Sequence, residues 1–285
     1  MKKLSFLALI TFGLILFGCG NKETSSNDEE TADTVAQTIL PKLPPPSEVA
    51  ARIQATGADF NAGFINPLTQ KDAYLGAENT KAAANLGVYV ADMGYLIAYS
   101  QSEEAGEYLV ATEQMADALG VKKQFSRALE FRYHEKLESN EKVKSAFDSL
   151  FAGAENNVSG EEFKKLQAAL IGGYYIESLH LLSSLVMSYP DDLPEETRNL
   201  ILTPAIRAIL SQKQGVDNLI TYLETLDIQS KPVIYGQLVK LRDMYNTTDI
   251  KKLIETADAN TSLNAGMVKG IAQHIEAVRA TIVAL

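Results

Sequence analysis

The chain has 285 residues, 46% of them hydrophobic, with a formal charge of −10 and a single cysteine. It is long enough to bury a sizeable core, as one large domain or two small ones. The acidic balance excludes nucleic-acid binding through a basic surface, which needs clustered Lys and Arg, and one cysteine excludes an internal disulfide or a thiolate metal site.

Residues 1–19 read as an address. Lys2 and Lys3 are followed by an uncharged apolar or small run over 4–17, too short for a spanning helix and right for the core of a signal peptide. Leu16-Phe17-Gly18-Cys19 resembles a bacterial lipobox, with an aliphatic residue, a small residue and then the cysteine. Residues 1–18 are therefore expected to be a lipoprotein signal peptide and Cys19 the lipidated residue. Losing Lys2 and Lys3 takes the formal charge from −10 to −12. Membrane attachment then rests on acyl chains, at about 0.8 kcal/mol per buried methylene, and not on charge. Residues 20–36, GNKETSSNDEETADTVA, hold too few apolar groups to offset their ordering entropy. With Pro41, Pro44, Pro45 and Pro46 behind them, residues 19–46 are expected to form the lipidated Cys and a flexible acidic and Pro-rich tether.

From Ser47 the pattern is helical. Ser47 caps a short helix over 48–56 that Gly57 stops, and 57–70, with Asn66-Pro67, reads as a loop. A long helix is expected over 72–100, irregular near Gly76. Residues 102–119 place Ala105, Tyr108, Leu109, Thr112, Met115, Ala116 and Leu119 on one face, and Gly120 ends them. Helices follow over 123–138 and 141–151. Another spans 159–188, opened by the capping box Ser159-Gly160-Glu161-Glu162 and closed before Pro190. The next opens at Asp192 and Pro194, is kinked or restarted at Pro204, and continues to 226. Ile234, Leu238, Leu241 and Tyr245 mark a further helix, a short one starts at Asp249, and the last spans 263–284. No useful length alternates with period two. The domain over 47–285 is therefore expected to be all-α, with about nine helices packed as antiparallel hairpins in a helical bundle. No fixed repeat register emerges, so a solenoid is the second choice.

Two stretches stand apart. In 83–99, AANLGVYVADMGYLIAY, the residues Ala83, Gly87, Ala91, Gly94 and Ala98 form a small-residue stripe. Glycine costs about 1 kcal/mol in a helix interior, so its presence here implies a very close neighbouring backbone. Asp92 sits in this apolar segment between Tyr89 and Tyr95. In 168–185, AALIGGYYIESLHLLSSL, Gly172 and Gly173 precede Tyr174, Tyr175 and a lone acid, Glu177. The two helices are expected to be largely buried and to pack through their glycines. Asp92, Tyr89, Tyr95, Tyr174 and Glu177 are the candidate ligand-binding residues. An isolated buried carboxylate is costly unless partnered. Each acid either bonds a tyrosine hydroxyl, a helix N-terminus or an arginine such as Arg127 or Arg132, or the two line one polar pocket as ligand contacts or an acid/base pair.

These stretches carry a family resemblance. Gly87-Val88-Tyr89-Val90-Ala91-Asp92-Met93-Gly94-Tyr95 and Gly172-Gly173-Tyr174-Tyr175-Ile176-Glu177-Ser178-Leu179 resemble two motifs of uncharacterised all-helical lipoproteins of Bacteroidetes-type bacteria. In that pattern a Gly stands where this chain has Val90 and a Trp where it has Tyr174. The likeness extends over most of the mature chain, including the Pro-Ser start near Ser47 and the Asn66-Pro67 loop. It implies a lipoprotein and an all-α body, and supplies no reaction. Asp33-Thr34-Val35 and Asp148-Ser149-Leu150 resemble the O-glycan attachment pattern of the same bacterial group. Thr34, in the polar tether, is the expected acceptor of the two, because Ser149 lies on a predicted amphipathic helix.

The sequence has no H-E-x-x-H, G-x-S-x-G, phosphate loop or dinucleotide fingerprint, so neither metal nor cofactor is expected. Glu130, His134 and Glu138 share a helix face that reads as solvated. His180 either bonds Glu177 or is a satisfied core residue, and His274 reads as boundary packing. The absence of Trp weakens a glycan-binding reading, and the Asn-x-Ser/Thr matches at Asn157, Asn246 and Asn260 are taken as chance. The expected function is a lipid-anchored envelope protein, a non-enzymatic module binding another envelope protein or a small ligand. The alternative is an enzyme using Asp92 and Glu177. Gly20 after the lipidated cysteine favours the outer membrane, on either its periplasmic face or the cell surface.

Overall fold

The structure, a computed structural model, describes residues 52–121, 160–190, 192–227, 234–256 and 261–284. Cys19, the tether with Thr34, Ser47, and the helices expected over 123–138 and 141–151 with Arg127, Arg132, His134 and Ser149 lie outside the described residues. Within them the protein is an all-α bundle of nine α-helices and three 3-10 turns, without a strand.

A helical turn at 52–54 closes at Gly57, whose φ of +74° is the left-handed conformation a helix stop asks of glycine. The loop 58–70 follows, stiffened by 3-10 turns at Ala62–Phe64 and Leu68–Gln70. The helix expected over 72–100 is two: α1, Lys71–Leu75, and α2, Asn79–Ala98. The amide of Gly76 closes α1 on the Asp72 carbonyl, and Glu78 turns extended before α2 begins. α3, Ser102–Ala118, returns along α2 and ends near Gly120, at φ +73°.

α4, Gly160–Ser188, carries Glu161 and Glu162 in its first turn, where acids suit the helix dipole. It is long and apolar enough to cross a membrane, but its most apolar window is 89% buried inside the protein, as befits a core helix. α5, Glu195–Ser211, continues through Pro204, so the helix does not restart there, and the interruption falls instead at Gln212, before α6, Lys213–Glu224. Pro204 leaves the Leu200 carbonyl without its helical donor, and Leu200 is 72% exposed, so water can serve that group. α7, Tyr235–Tyr245, and α8, Thr248–Thr256, follow. The last expected helix starts later than its apolar stripe. Residues Ala265–Val268 form a 3-10 turn, and α9 is Lys269–Val283.

α2 and α4 form the spine. Both are buried along most of their length, and α3, α9 and α5 pack around them. Their glycines explain how close they come. A Cβ on Gly87 would run into the Leu170 carbonyl oxygen and stand 2.6 Å from the Tyr174 amide nitrogen, while one on Gly173 would run into the Ala84 carbonyl. Glu78 lies near Lys165, Ala84 against Gly173, and Asp92 beside Glu177, so the spine helices run in the same direction. α9 runs against both: Ile282 meets Asn85, Arg279 meets Glu177, and Glu276 meets His180.

Candidate functional site

The parallel spine brings together the two acids singled out by the sequence. Asp92 of α2 and Glu177 of α4 are both fully buried, and Glu177 lies within hydrogen-bonding reach of Asp92. Arg279 of α9 holds Glu177 from the other side. Its Nε donates to Oε1 at 3.0 Å and to Oε2 at 2.8 Å. His180 turns to α9 and the loop rather than to Glu177, with Nδ1 2.6 Å from Glu276 Oε2 and Nε2 3.1 Å from the Phe64 carbonyl oxygen. The Arg279–Glu177 ion pair and the His180–Glu276 contact thus lace α4 to α9. His274 places Nε2 3.1 Å from the Gln237 carbonyl, at the contact of α9 with α7.

The loop 58–70 lies across this cluster as a strap. Its backbone polar groups, turned toward the core, need partners there, and the tyrosines supply them. Tyr99 donates to the Ala58 carbonyl at 3.0 Å, Tyr89 to that of Pro67 at 2.9 Å, and Tyr108 to that of Asn66 at 2.5 Å. The Asn61 amide donates to the Tyr95 hydroxyl at 3.1 Å. The Asn66 amide donates to Asp92 Oδ2 at 2.9 Å, and its side-chain Nδ2 donates to Tyr74, whose hydroxyl reaches the Val283 carbonyl at 2.8 Å. Phe60 of the strap packs against Tyr95 and Tyr99 in tilted contacts, with ring centroids 4.9 to 5.8 Å apart among the three. Tyr174, also a candidate, is buried on α4, and its carbonyl accepts from Ser178 Oγ.

The electrostatics follow from burial. Loss of water raises the Asp92 carboxyl well above its usual range, and the charge and hydrogen bond of Glu177 raise it further, while the Asn66 amide and Arg279 only partly oppose this. Burial works against the Arg279 cation, but Glu177 outweighs it, and the guanidinium is held above its ordinary pKa. Burial pushes Tyr99 up to about 12 and raises Tyr74, Tyr89, Tyr95 and Tyr108 as well, so these hydroxyls keep their protons near neutrality.

Of the five residues marked in the sequence, Asp92 and Glu177 share one cluster, Tyr89 and Tyr95 hold the strap, and Tyr174 stays in the core. Arg279, Asn66, Tyr74 and Tyr108 complete the arrangement and were not among them. Tyr108 carried a signal in the buried stripe of its helix, but Arg279 lies far along the chain and carried none. A carboxyl pair is the equipment of general acid/base chemistry. Here both acids are sealed under the strap and committed to internal partners. Among the described residues no group of three His, Cys, Asp or Glu side chains could hold a metal ion.

Replacing Tyr108 by Phe is expected to cost about 1–3 kcal/mol, because the Asn66 carbonyl loses a buried donor. Tyr235→Phe, whose hydroxyl meets Glu224 at an exposed site, is expected to stay within about 0.5 kcal/mol of wild type. Urea unfolding of the two variants checks the contrast. No family model matches the chain, and no curated protein and no solved structure matches it.

Proposed function

We propose that the chain is a lipid-anchored protein of the bacterial cell envelope whose helical body is a non-enzymatic binding or interaction module. The carrying observation is the commitment of Asp92 and Glu177, which are fully buried and engaged with Asn66, Arg279 and each other. The acids best suited to chemistry serve the fold, which leaves function to the surface. The anchor reading rests on the lipobox-like Leu16-Phe17-Gly18-Cys19 and the polar tether behind it, and the likeness to Bacteroidetes-type lipoproteins agrees with it. Gly20 favours the outer membrane.

An enzymatic reading has one observation on its side: the two acids do stand together. The test is a pull-down from solubilised envelope with the lipidated protein, beside a folded Asp92→Asn variant. A binding module keeps the same partner or ligand in the variant. Substrate turnover by wild type that Asp92→Asn and Glu177→Gln both abolish while folded would show an active site instead.

For the anchor, Cys19→Ser is expected to abolish palmitate labelling and to leave the protein unprocessed or soluble in the envelope. Labelling as strong as wild type would remove the lipoprotein reading. Protease shaving of intact cells separates the periplasmic face from the cell surface.

A further inference from the structure

The strap and the acid cluster meet at Asp92. Its Oδ2 accepts the Asn66 amide, while Oδ1, equally buried, has no donor turned toward it. The groups facing Asp92 come from every side of the bundle. Tyr74 of α1, Tyr108 of α3 and Tyr89 of its own helix lie near enough for the Asp92 charge to reach them. Glu177 of α4 is at hydrogen-bonding reach, and Arg279 of α9 is the cation. Two carboxyls thus share one guanidinium in a volume closed to water. Were both ionised, the cluster would hold a net negative charge, and Asp92 Oδ1 would be a buried anionic oxygen without a donor, at high cost. One proton resolves both problems. It makes Oδ1 a donor, and the Glu177 carboxylate beside it is an acceptor.

We propose that Asp92 is the neutral acid of this pair, its Oδ1 hydroxyl donating to Glu177, and that its ionisation is a latch that releases the strap 58–70. The resulting chain runs from the Asn66 amide to Oδ2, from Oδ1–H to Glu177, and back from Arg279. When solvent base removes the proton, Oδ1 and Glu177 repel each other in a medium that screens little. The anion regains water only if the strap lifts away, which breaks the Asn66 contact first. The sign follows from proton counting. The closed strap keeps a proton that the opened, hydrated Asp92 gives up, so closure is fully favoured below the ordinary aspartate range near 3.8 and weakens as pH rises toward the raised value in the closed state. This is opposite in direction to the usual salt-bridged carboxylate. The latch is independent of what the surface binds.

Asparagine mimics the neutral acid, with one oxygen to accept from Asn66 and one amide group to donate to Glu177. Hydrogen exchange of the Asn66 amide, corrected for its intrinsic base dependence, reads the latch. In wild type the opening constant is expected to rise by up to about tenfold per pH unit within the window, measured from about pH 4 to about pH 9. In Asp92→Asn it is expected to stay flat, and the variant should melt at or above the wild-type temperature at the alkaline end. A flat wild-type profile would overturn the proposal. So would a folded Asp92→Asn variant as destabilised as Asp92→Ala across the whole range. A measurement on wild type alone guards against a variant that does not fold. Infrared spectra at neutral pH, with carbon-13 in the aspartate carboxyls, are expected to show an isotope-shifted protonated-acid band. Its absence would place an ionised Asp92 in the core and end the argument.

Discussion

Alanine at Gly87 or at Gly173 is expected to destabilise the protein by about 3–5 kcal/mol, at the severe end for a single substitution. The added carbon at each position meets a backbone carbonyl of the opposite spine helix, which cannot turn aside as a side chain can. Relief requires moving α2 from α4 along their length, and with them the reach between Asp92 and Glu177. Two other glycines serve as controls. A Cβ on Gly172 meets the tip of Ile234, a flexible side chain, so Gly172→Ala is expected to change stability by no more than about 1 kcal/mol. Gly236, in α7, has nothing within 4 Å of that position, and Gly236→Ala is expected to stabilise by up to about 1 kcal/mol through helix propensity. Urea midpoints of the four variants, compared at unchanged m-value, test the ordering. Equal effects at all four sites would show that the spine is not locked through its backbone.

Arg279→Met is the second large effect. It leaves the Glu177 carboxylate buried with no cation beside it, and a loss of about 3–5 kcal/mol is expected. High salt should not abolish the difference, because buried pairs are poorly screened. The double variant Glu177→Leu with Arg279→Met is expected to recover part of the loss, since a well-packed apolar pair can replace a buried ion pair. Recovery stays incomplete because Asp92 then lacks its partner. Additive losses in the double variant would mean that the two side chains do not act as a pair.

Much of this frame was legible from residue patterns. Gly87 and Gly173 betrayed the spine contact because glycine in a buried helix is expensive without a close neighbour. Asp92 and Glu177 stood out because a lone acid in an apolar run needs a partner. The partner itself was hidden. Arg279 sits on the last amphipathic helix between Val278 and Ala280, and nothing local separates it from a solvated arginine. Arg127 and Arg132, the examples offered from the sequence, lie outside the described residues. The strap was read as a loop, but its tyrosine ties cross many residues of chain and leave no periodic trace. Pro204 does not restart its helix, because a proline on an exposed helix face can be carried by hydration where propensity alone predicts a break.

The placement of α9 has a consequence for the order in which the chain can be made and folded. Arg279 neutralises Glu177, the Val283 carbonyl accepts from Tyr74, and the Ile282 carbonyl accepts from Asn85 at 2.9 Å. Each is among the last described residues to leave the ribosome, and each completes a site whose other members emerged long before. Until they arrive, the spine has a buried carboxylate without its counter-charge, and Asn85 and Tyr74 have only their local acceptors, Lys81 and Gln70, so the early segments are less stable on their own. Closure of such distant contacts is slow and comes late. For a chain exported as proposed above, that delay is useful: the spine stays threadable until α9 has crossed.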